Sequence, residues 1–337
     1  MMMGDLPSDV VEDLSRIANP NWVEEQNFPL LHRIVLGLHG KDLDQALAED
    51  PNAVDCKDAM GRTALNWAAA RGDDRSVTAL LSYGADPNIL DCQHSGPLSY
   101  AAEKNHTVCV RILLKAGAQP DPVIPSGQQV GSPLNCASRN ASDPDLIKTL
   151  LDFGANVDAC GVDGRTPLIH AARTDNVAFA LLFLEHNAKV NATSTAGQTP
   201  LTTAIANNSH RVLQLLLSRS ADYGGPPRLR VPQLLDTAAR FADHESLAIL
   251  CASASHLWLE YDKTRHTGDF EKMLRERHDS DEKLCRAFAD FMAVIFGDVP
   301  ASPESLMEQG IAFDGQLSDT TSDVSGEKRE AAEPLID

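Results

Sequence analysis

Apolar positions recur along this chain in two alternating helix patterns separated by short polar stretches. In the first pattern a leucine is followed three and four residues later by small residues, as in Leu65, Ala68 and Ala69. In the second pattern paired leucines follow about 15 residues after the first leucine, as at Leu80 and Leu81. Residues three and four apart share one face of a helix, so each pattern predicts a short amphipathic helix. The chain is therefore predicted to consist of helix pairs.

The helix pairs recur with a nearly constant period. The leucine that marks each first helix lies 33 to 36 residues from the next, at Leu31, Leu65, Leu98, Leu134, Leu168, Leu201 and Leu235. A second landmark keeps the same phase just beyond each second helix, at Gly84, Gly117, Gly154, Asn187 and Ser220. One such unit cannot bury its apolar faces alone, whereas stacked units can. The sequence predicts an all-α solenoid of about seven stacked units.

Residues with the chemistry of helix ends surround these landmarks. Thr166 and Thr199 each precede a Pro-Leu pair, which predicts a hydroxyl N-cap followed by proline at the first helical position. Gly72 and Asn105 lie seven residues after their marks, and Gly84 lies just past a second helix. Glycine and asparagine tolerate the left-handed backbone that ends many helices, so these positions predict the turns of each unit.

These motifs resemble the ankyrin repeat. The second unit carries the family pattern almost completely, as Gly61-Arg62-Thr63-Ala64-Leu65, Ala68-Ala69, Gly72, Val77, Leu80-Leu81 and Gly84-Ala85-Asp86-Pro87-Asn88. The resemblance covers about residues 25–256. Two segments look like ankyrin modules common in filamentous fungi, namely Phe28-Pro29-Leu30-Leu31-His32-Arg33-Ile34-Val35 and Trp67-Ala68-Ala69-Ala70-Arg71-Gly72-Asp73. It implies stacked ankyrin repeats with β-hairpin fingers between them and helical caps at both ends.

The family's motif histidine is present only as His32, and the resemblance implies a structural role for it. The same place in the other units is taken by Asn66, Ser99, Asn135, Ile169, Thr202 and Asp236. Whether hydrogen bonds between repeats form at these six positions is therefore open.

Boundaries follow from the landmarks and from changes in composition. Repeats are expected at about 25–57, 58–90, 91–123, 124–160, 161–193, 194–223 and 224–256. Helical spacing of apolar residues predicts a capping segment at 1–24 and a C-terminal helical cap at 257–297, the latter with a partner or dimerisation surface as the alternative. In residues 298–337 acidic residues outnumber basic ones ten to two, which predicts an acidic disordered tail.

Composition excludes several functions. The 29 Lys and Arg residues face 48 Asp and Glu residues, for a net charge of −19, so direct nucleic-acid binding is not expected. No apolar run approaches the ~20 residues of a membrane span. The seven dispersed cysteines predict free thiols. Motifs of hydrolases, nucleotide-binding sites and metal sites are missing from the sequence. Cys136 lies one repeat before His170 and is expected to be a packed thiol. We therefore predict that the protein is not an enzyme and binds neither a cofactor nor a metal.

Candidate binding residues lie on the face formed by first helices and fingers, which the resemblance implies is concave. Basic residues predominate at its variable positions, at Arg62, Arg71, Lys104, Arg139, Arg165, Arg173, Arg230 and Arg240. The acidic residues there are Glu25, Glu103 and Asp163. These bases either serve solubility alone or form a cationic groove for an acidic segment of another protein.

The sequence therefore predicts an intracellular protein–protein interaction scaffold, monomeric and located in the cytoplasm, the nucleus or both. The alternative is a nuclear ankyrin-repeat transcriptional co-regulator, such as one acting on a fungal biosynthetic gene cluster. In that case the acidic tail, with Leu306, Ile311, Phe313 and Leu317 among its acids, would act as an activation segment.

Overall fold

The computed structural model describes residues 27–122, 132–140, 143–219, 231–253, 273–274, 276–277 and 281–296. Within these residues the bounds of fifteen α-helices are defined, and no strand forms. The predicted N-terminal capping segment and the acidic tail lie outside the described residues.

Fourteen of the helices form pairs along the chain. In order, they are α1 (Leu30–Val35) with α2 (Leu43–Glu49), α3 (Ala64–Arg71) with α4 (Asp74–Ser82), α5 (Pro97–Glu103) with α6 (Thr107–Lys115), α7 (Pro133–Asn140) with α8 (Pro144–Asp152), α9 (Pro167–Arg173) with α10 (Val177–Glu185), α11 (Pro200–Ala206) with α12 (His210–Arg219), and α13 (Val231–Phe241) with α14 (His244–Ala252). The last helix with defined bounds is α15 (Glu282–Phe296), and a short 3-10 helix spans Pro51–Ala53.

The paired helices stack in two layers. Each first helix, from α1 to α13, packs on the first helix of the next pair, and each second helix, from α2 to α14, packs on the next second helix. The two helices of a pair also contact each other from α1 with α2 to α11 with α12. This arrangement confirms the predicted all-α solenoid.

Leucine and alanine fill the space between the layers. The mark leucines are buried, and the alanines three and four residues after them, such as Ala68 and Ala69, have no exposed surface. Side chains of this size let neighbouring helices approach closely, because interhelical distance depends on the side chains at the contact. The low aromatic content of the chain is therefore suited to a stacked-helix core.

The helix ends follow the predicted chemistry. Thr63, Thr166 and Thr199 each accept a hydrogen bond from the backbone N–H three residues later. Gly72 ends α3 with φ of +68°, and a Cβ added there would lie 2.4 Å from Nδ1 of His106. Glycine is needed at this position both for its backbone conformation and for the close approach of the next repeat.

The connections between pairs are tight turns. The N–H of Asp58 donates to the carbonyl of Arg62 at 2.9 Å, and Asp91 makes the same bond to Ser95 at 3.0 Å. The N–H of Cys92 donates to the carbonyl of Met60 at 2.9 Å and so joins neighbouring turns. The resemblance implied β-hairpin fingers, but over the described residues these connections are turns without strands. The longer connections at 123–131 and 220–230 lie outside the described residues.

The C-terminal helix continues the stack. α15 packs against α14, and Leu284, Phe288 and Phe291 are all buried. The aromatic stripe of this helix is therefore part of the core. Among the described helices, none is long and apolar enough to cross a membrane.

Candidate protein-binding surface

A buried carboxylate organises the turn that precedes α3. Oδ1 of Asp58 accepts hydrogen bonds from the backbone N–H groups of Met60 and Arg62, each at 2.9 Å. Its Oδ2 accepts from Trp67 Nε1 at 3.1 Å and from Arg62 Nε at 3.0 Å. The Arg62 guanidinium also lies 4.2 Å from the centroid of the Trp67 ring. Carboxylate and indole together hold Arg62 within its own repeat.

The next repeat uses the same device with a different aromatic residue. Oδ1 of Asp91 accepts from the N–H groups of Gln93 and Ser95 at 2.8 and 2.9 Å, while Oδ2 accepts from the Tyr100 hydroxyl. Burial first, and then the hydrogen bond to Asp91, raise the pKa of Tyr100 well above its usual value. The phenol is therefore a permanent donor that ties the first helix to its turn.

The fifth repeat lacks this device. Gly161 stands where Asp58 and Asp91 stand, and a Cβ there would lie 2.8 Å from Oδ1 of Asn135. His170 takes the place of the aromatic residue, is buried, and has no partner for Nδ1 among the described residues. Burial first, and then the charge of Arg173, lower the pKa of His170 to about 4. His170 is therefore neutral at pH 7.

The two groups that could suggest chemistry are inert. Burial, followed by the charge of Glu103, raises the pKa of the Cys136 thiol to about 11. A thiol with this pKa is protonated at neutral pH and is a poor nucleophile. With His170 neutral and buried, the two residues do not form a thiolate–imidazolium pair. Among the described residues, no group of three His, Cys, Asp or Glu side chains could hold a metal ion.

Hydrogen bonds between repeats form at three of the motif-histidine positions. His32 is buried, and its Nε2 lies 2.8 Å from the carbonyl of Arg62 in the next repeat. Nδ2 of Asn66 donates to the carbonyl of Ser95 at 3.4 Å, and Nδ2 of Asn135 donates to that of Arg165 at 2.7 Å. The sequence left the two asparagine positions open, and the structure shows that asparagine can supply the same bond as His32.

Several predicted binding cations are already engaged within the protein. Arg62 pairs with Asp58 as described. Nη1 of Arg165 lies 3.2 Å from Oδ2 of Asp163, and its Nε and Nη2 donate to Gln198. Nε of Arg240 lies 2.9 Å from Oδ1 of Asp236.

Arg71 is engaged in a different way. Its Nη1 donates to the backbone carbonyl of Val35 in the preceding repeat. The side chain is half-buried, so Arg71 stabilises the contact between the first two repeats. Two of the predicted residues, Arg230 and Glu25, lie outside the described residues.

Of the seven predicted cations that the structure describes, three are left on the face formed by the first helices and turns, which we call the first-helix face. Lys104 lies at the end of α5, Arg139 on α7 and Arg173 at the end of α9. Each is exposed and makes no ion pair with another described residue. We call these three residues the cationic row. They lie in three consecutive repeats, and the half-buried Glu103 directly precedes Lys104.

The second-helix layer has a basic patch of its own. A shallow cavity of about 320 Å³ between α6 and α8 is lined by Arg111, Lys115, Asp145, Lys148, Thr149, Asp152 and Phe153. Here Asp145 and Asp152 lie among the three bases. The cations of this patch are exposed and match those of the row in number, which makes them a control for any test of the first-helix face.

Comparison with known proteins agrees with this architecture. The family described as "Ankyrin repeats (3 copies)" matches residues 23–124 and 134–225. The Ankyrin repeat protein nuc-2 of Neurospora crassa is 28% identical over 215 residues, covering 54% of this chain and 20% of that protein. The Ankyrin repeat and SOCS box protein 11 of Danio rerio is 44% identical over 92 residues, or 27% of this chain and 30% of the relative.

A third relative is the B-cell lymphoma 3 protein homolog of Mus musculus. It is 27% identical over 172 residues, which cover 51% of this chain and 38% of the mouse protein. The chain thus spans between a fifth and two fifths of the length of these relatives. Since the family match covers more than half of the chain and the helix pairs stack as the motifs predict, this protein belongs to the ankyrin repeat family.

Proposed function

We propose that this protein is a non-catalytic interaction scaffold that binds an acidic segment of another protein along its first-helix face. Ankyrin repeats mediate protein–protein interaction, and the family is a non-catalytic interaction fold. The observation that carries the proposal is the cationic row, Lys104, Arg139 and Arg173. These three side chains project from consecutive first helices without an ion pair to a described residue.

The absence of ion pairs from the row to described residues is what favours binding. Arg62, Arg165 and Arg240 would have to weaken an existing bond to a carboxylate before they could bind a partner. Lys104, Arg139 and Arg173 need only release water. Arginine also presents a planar fork of donors that matches a carboxylate. Binding is therefore expected to centre on the third, fourth and fifth repeats.

The site chemistry supports binding rather than catalysis. His32 and His170 are buried, and burial lowers the pKa of each. Cys136 is held as a thiol. None of these three side chains combines the exposure and the titration range that a general base or a nucleophile needs.

Charge reversal on the two faces tests this proposal. One variant carries Lys104→Glu, Arg139→Glu and Arg173→Glu, and the matched control carries Arg111→Glu, Lys115→Glu and Lys148→Glu. Both change the net charge equally, so long-range attraction falls equally in both. We expect the first variant to bind a fluorescent glutamate-rich peptide at least about tenfold more weakly than the control does. Equal affinities in the two variants would refute the proposal.

A transcriptional co-regulator is the second candidate function. It is supported by the acidic residues 298–337, which carry Leu306, Ile311, Phe313 and Leu317 among their acids. Fusing these 40 residues to an unrelated DNA-binding domain and measuring a reporter gene tests this role. Activation that is lost when the four apolar residues become alanine would support it, and a silent reporter would exclude it.

Fluorescence imaging of the full chain tests the expected cytoplasmic or nuclear location.

A further inference from the structure

The cationic row has a regular spacing because it is built on stacked helices. α5, α7 and α9 pack directly on one another. Packed helices lie about 8–10 Å apart. Lys104, Arg139 and Arg173 occur at nearly the same point of their repeats, five or six residues after the mark leucine. Their charges are therefore expected to repeat at intervals of roughly 10 Å.

An extended peptide can match this interval. Such a chain advances about 3.3 Å per residue as a strand and about 3.1 Å as a polyproline II helix. Three residues therefore cover about 10 Å, and in polyproline II every third side chain points in the same direction. In polyproline II a carboxylate on every third residue can thus face each cation of the row, whereas in a strand, whose side chains alternate between the two faces, the middle carboxylate would point away.

A helical partner would need a different spacing. An α-helix advances 1.5 Å per residue, so about seven residues cover the same interval. Three contacts would then require a helix of about 15 residues, a length at which isolated helices are only marginally stable in water. An extended segment makes the same three contacts over half as many residues.

We infer that the cationic row binds an extended acidic segment whose carboxylates lie at positions i, i+3 and i+6. This inference rests on the proposed function and adds the partner's conformation and register to it. Charge complementarity selects carboxylates, and the helix-to-helix distance selects their spacing. Arg139 meets the middle carboxylate because α7 lies between α5 and α9.

Glu103 provides an independent prediction for the same site. It lies beside Lys104. Burial is the largest cause of the raised pKa of Cys136 on α7, and the charge of Glu103 is the second largest. The field of Glu103 therefore reaches the neighbouring helix of the row. Because it repels an incoming carboxylate, Glu103→Gln is expected to strengthen binding of the acidic peptide severalfold.

A set of peptides of equal length and composition tests the spacing. Each carries three glutamates in the same Gly, Ser and Ala background, spaced by two, three, four or seven residues. Fluorescence anisotropy with the full chain is expected to give at least about fivefold tighter binding for the three-residue spacing than for any other. Binding that depends only on the number of glutamates would overturn the spacing rule and leave the proposed function standing. Best binding at seven residues would overturn it in favour of a helical partner.

Register is tested by a double-mutant cycle. Arg139→Ala and replacement of the middle glutamate by glutamine should each weaken binding, and together they should cost little more than either alone. The control, Lys148→Ala on the second-helix layer, should not couple to the peptide. Additive effects at Arg139 would overturn the assigned register. If no peptide binds, the proposed function itself is refuted. If the protein self-associates, and the charge reversal of the cationic row abolishes that self-association, the occupant of the face is a second copy of this chain.

Discussion

Nε1 of Trp67 donates a hydrogen bond to Oδ2 of Asp58 at 3.1 Å, and the same oxygen accepts from Arg62. Asp91 with Tyr100 repeats the relationship in the next unit. In both repeats an aromatic residue on the first helix and a carboxylate in the turn fix the turn's position relative to the helix. In the second repeat, this contact also removes one arginine from the set of cations that can bind a partner.

Removing the Asp58 carboxylate should be costly. Asp58→Ala leaves two backbone N–H groups, the indole of Trp67 and the guanidinium of Arg62 without their acceptor. We expect the free energy of unfolding in urea to fall by about 2–4 kcal/mol. The control is Asp236→Ala, which removes the half-buried partner of the exposed Arg240 and should cost less than about 1 kcal/mol. Similar losses in the two variants would show that Asp58 is only a surface ion-pair partner.

Asn135 should contribute to the contact between the fourth and fifth repeats. Its amide donates to the carbonyls of Arg165 and Ala159 at 2.7 and 3.3 Å from a buried position. Asn135→Ala should therefore lower the free energy of unfolding by about 1–3 kcal/mol. Asn207→Ala removes an exposed amide that bonds within its own repeat, so it should cost clearly less. A stable Asn135→Ala variant would mean that stacking alone holds these repeats together.

His170 should make stability depend on pH. Its pKa is about 4 in the folded state and near 6.5 in the unfolded state, so the unfolded state binds the proton first as pH falls. Above pH 6.5 His170 therefore does not oppose folding. As pH falls toward 4, the free energy of unfolding decreases, because the unfolded state binds the proton more tightly than the folded state does. Between pH 7 and pH 5 this loss is about 2 kcal/mol.

The variant His170→Asn isolates this contribution. It keeps a small polar side chain but has no titrating group, so its stability should fall less steeply between pH 7 and pH 5 in urea unfolding. His32, whose pKa burial also lowers, acts in the same direction and is unchanged in both proteins. Parallel pH profiles for the two proteins would contradict the assignment of a neutral, buried His170.

The helix pairs and their ends could be predicted from the sequence because the signals are local. A threonine before Pro-Leu and a glycine past the second helix act within one turn of chain. The state of each binding cation could not be predicted in this way. Arg71 bonds to the carbonyl of Val35, 36 residues away, and Arg165 bonds to Gln198 in the next repeat. Such contacts depend on how repeats stack and are not visible in the sequence. Of the seven candidate cations among the described residues, the structure leaves three exposed without an ion pair to a described residue.

The conformation of the fingers likewise could not be predicted from the sequence alone. The resemblance implies β-hairpins, but the described connections contain no strand, and in the second and third repeats a carboxylate holds the turn, as Asp58 does for Met60 and Arg62. A short connection closed by an aspartate needs no strand pairing.

Site-specific photo-crosslinking directly tests whether the first-helix face binds an acidic partner. A photoreactive residue at Asn140, which is exposed beside Arg139 on α7, is compared with one at Lys148 on α8 in the full chain within its own cells. We expect crosslinks from position 140 to an acidic partner segment, lost when Lys104 and Arg173 become glutamate, and none to that segment from position 148. Crosslinks to the same partner segment that form equally at both positions, or survive the charge reversal, would contradict this expectation.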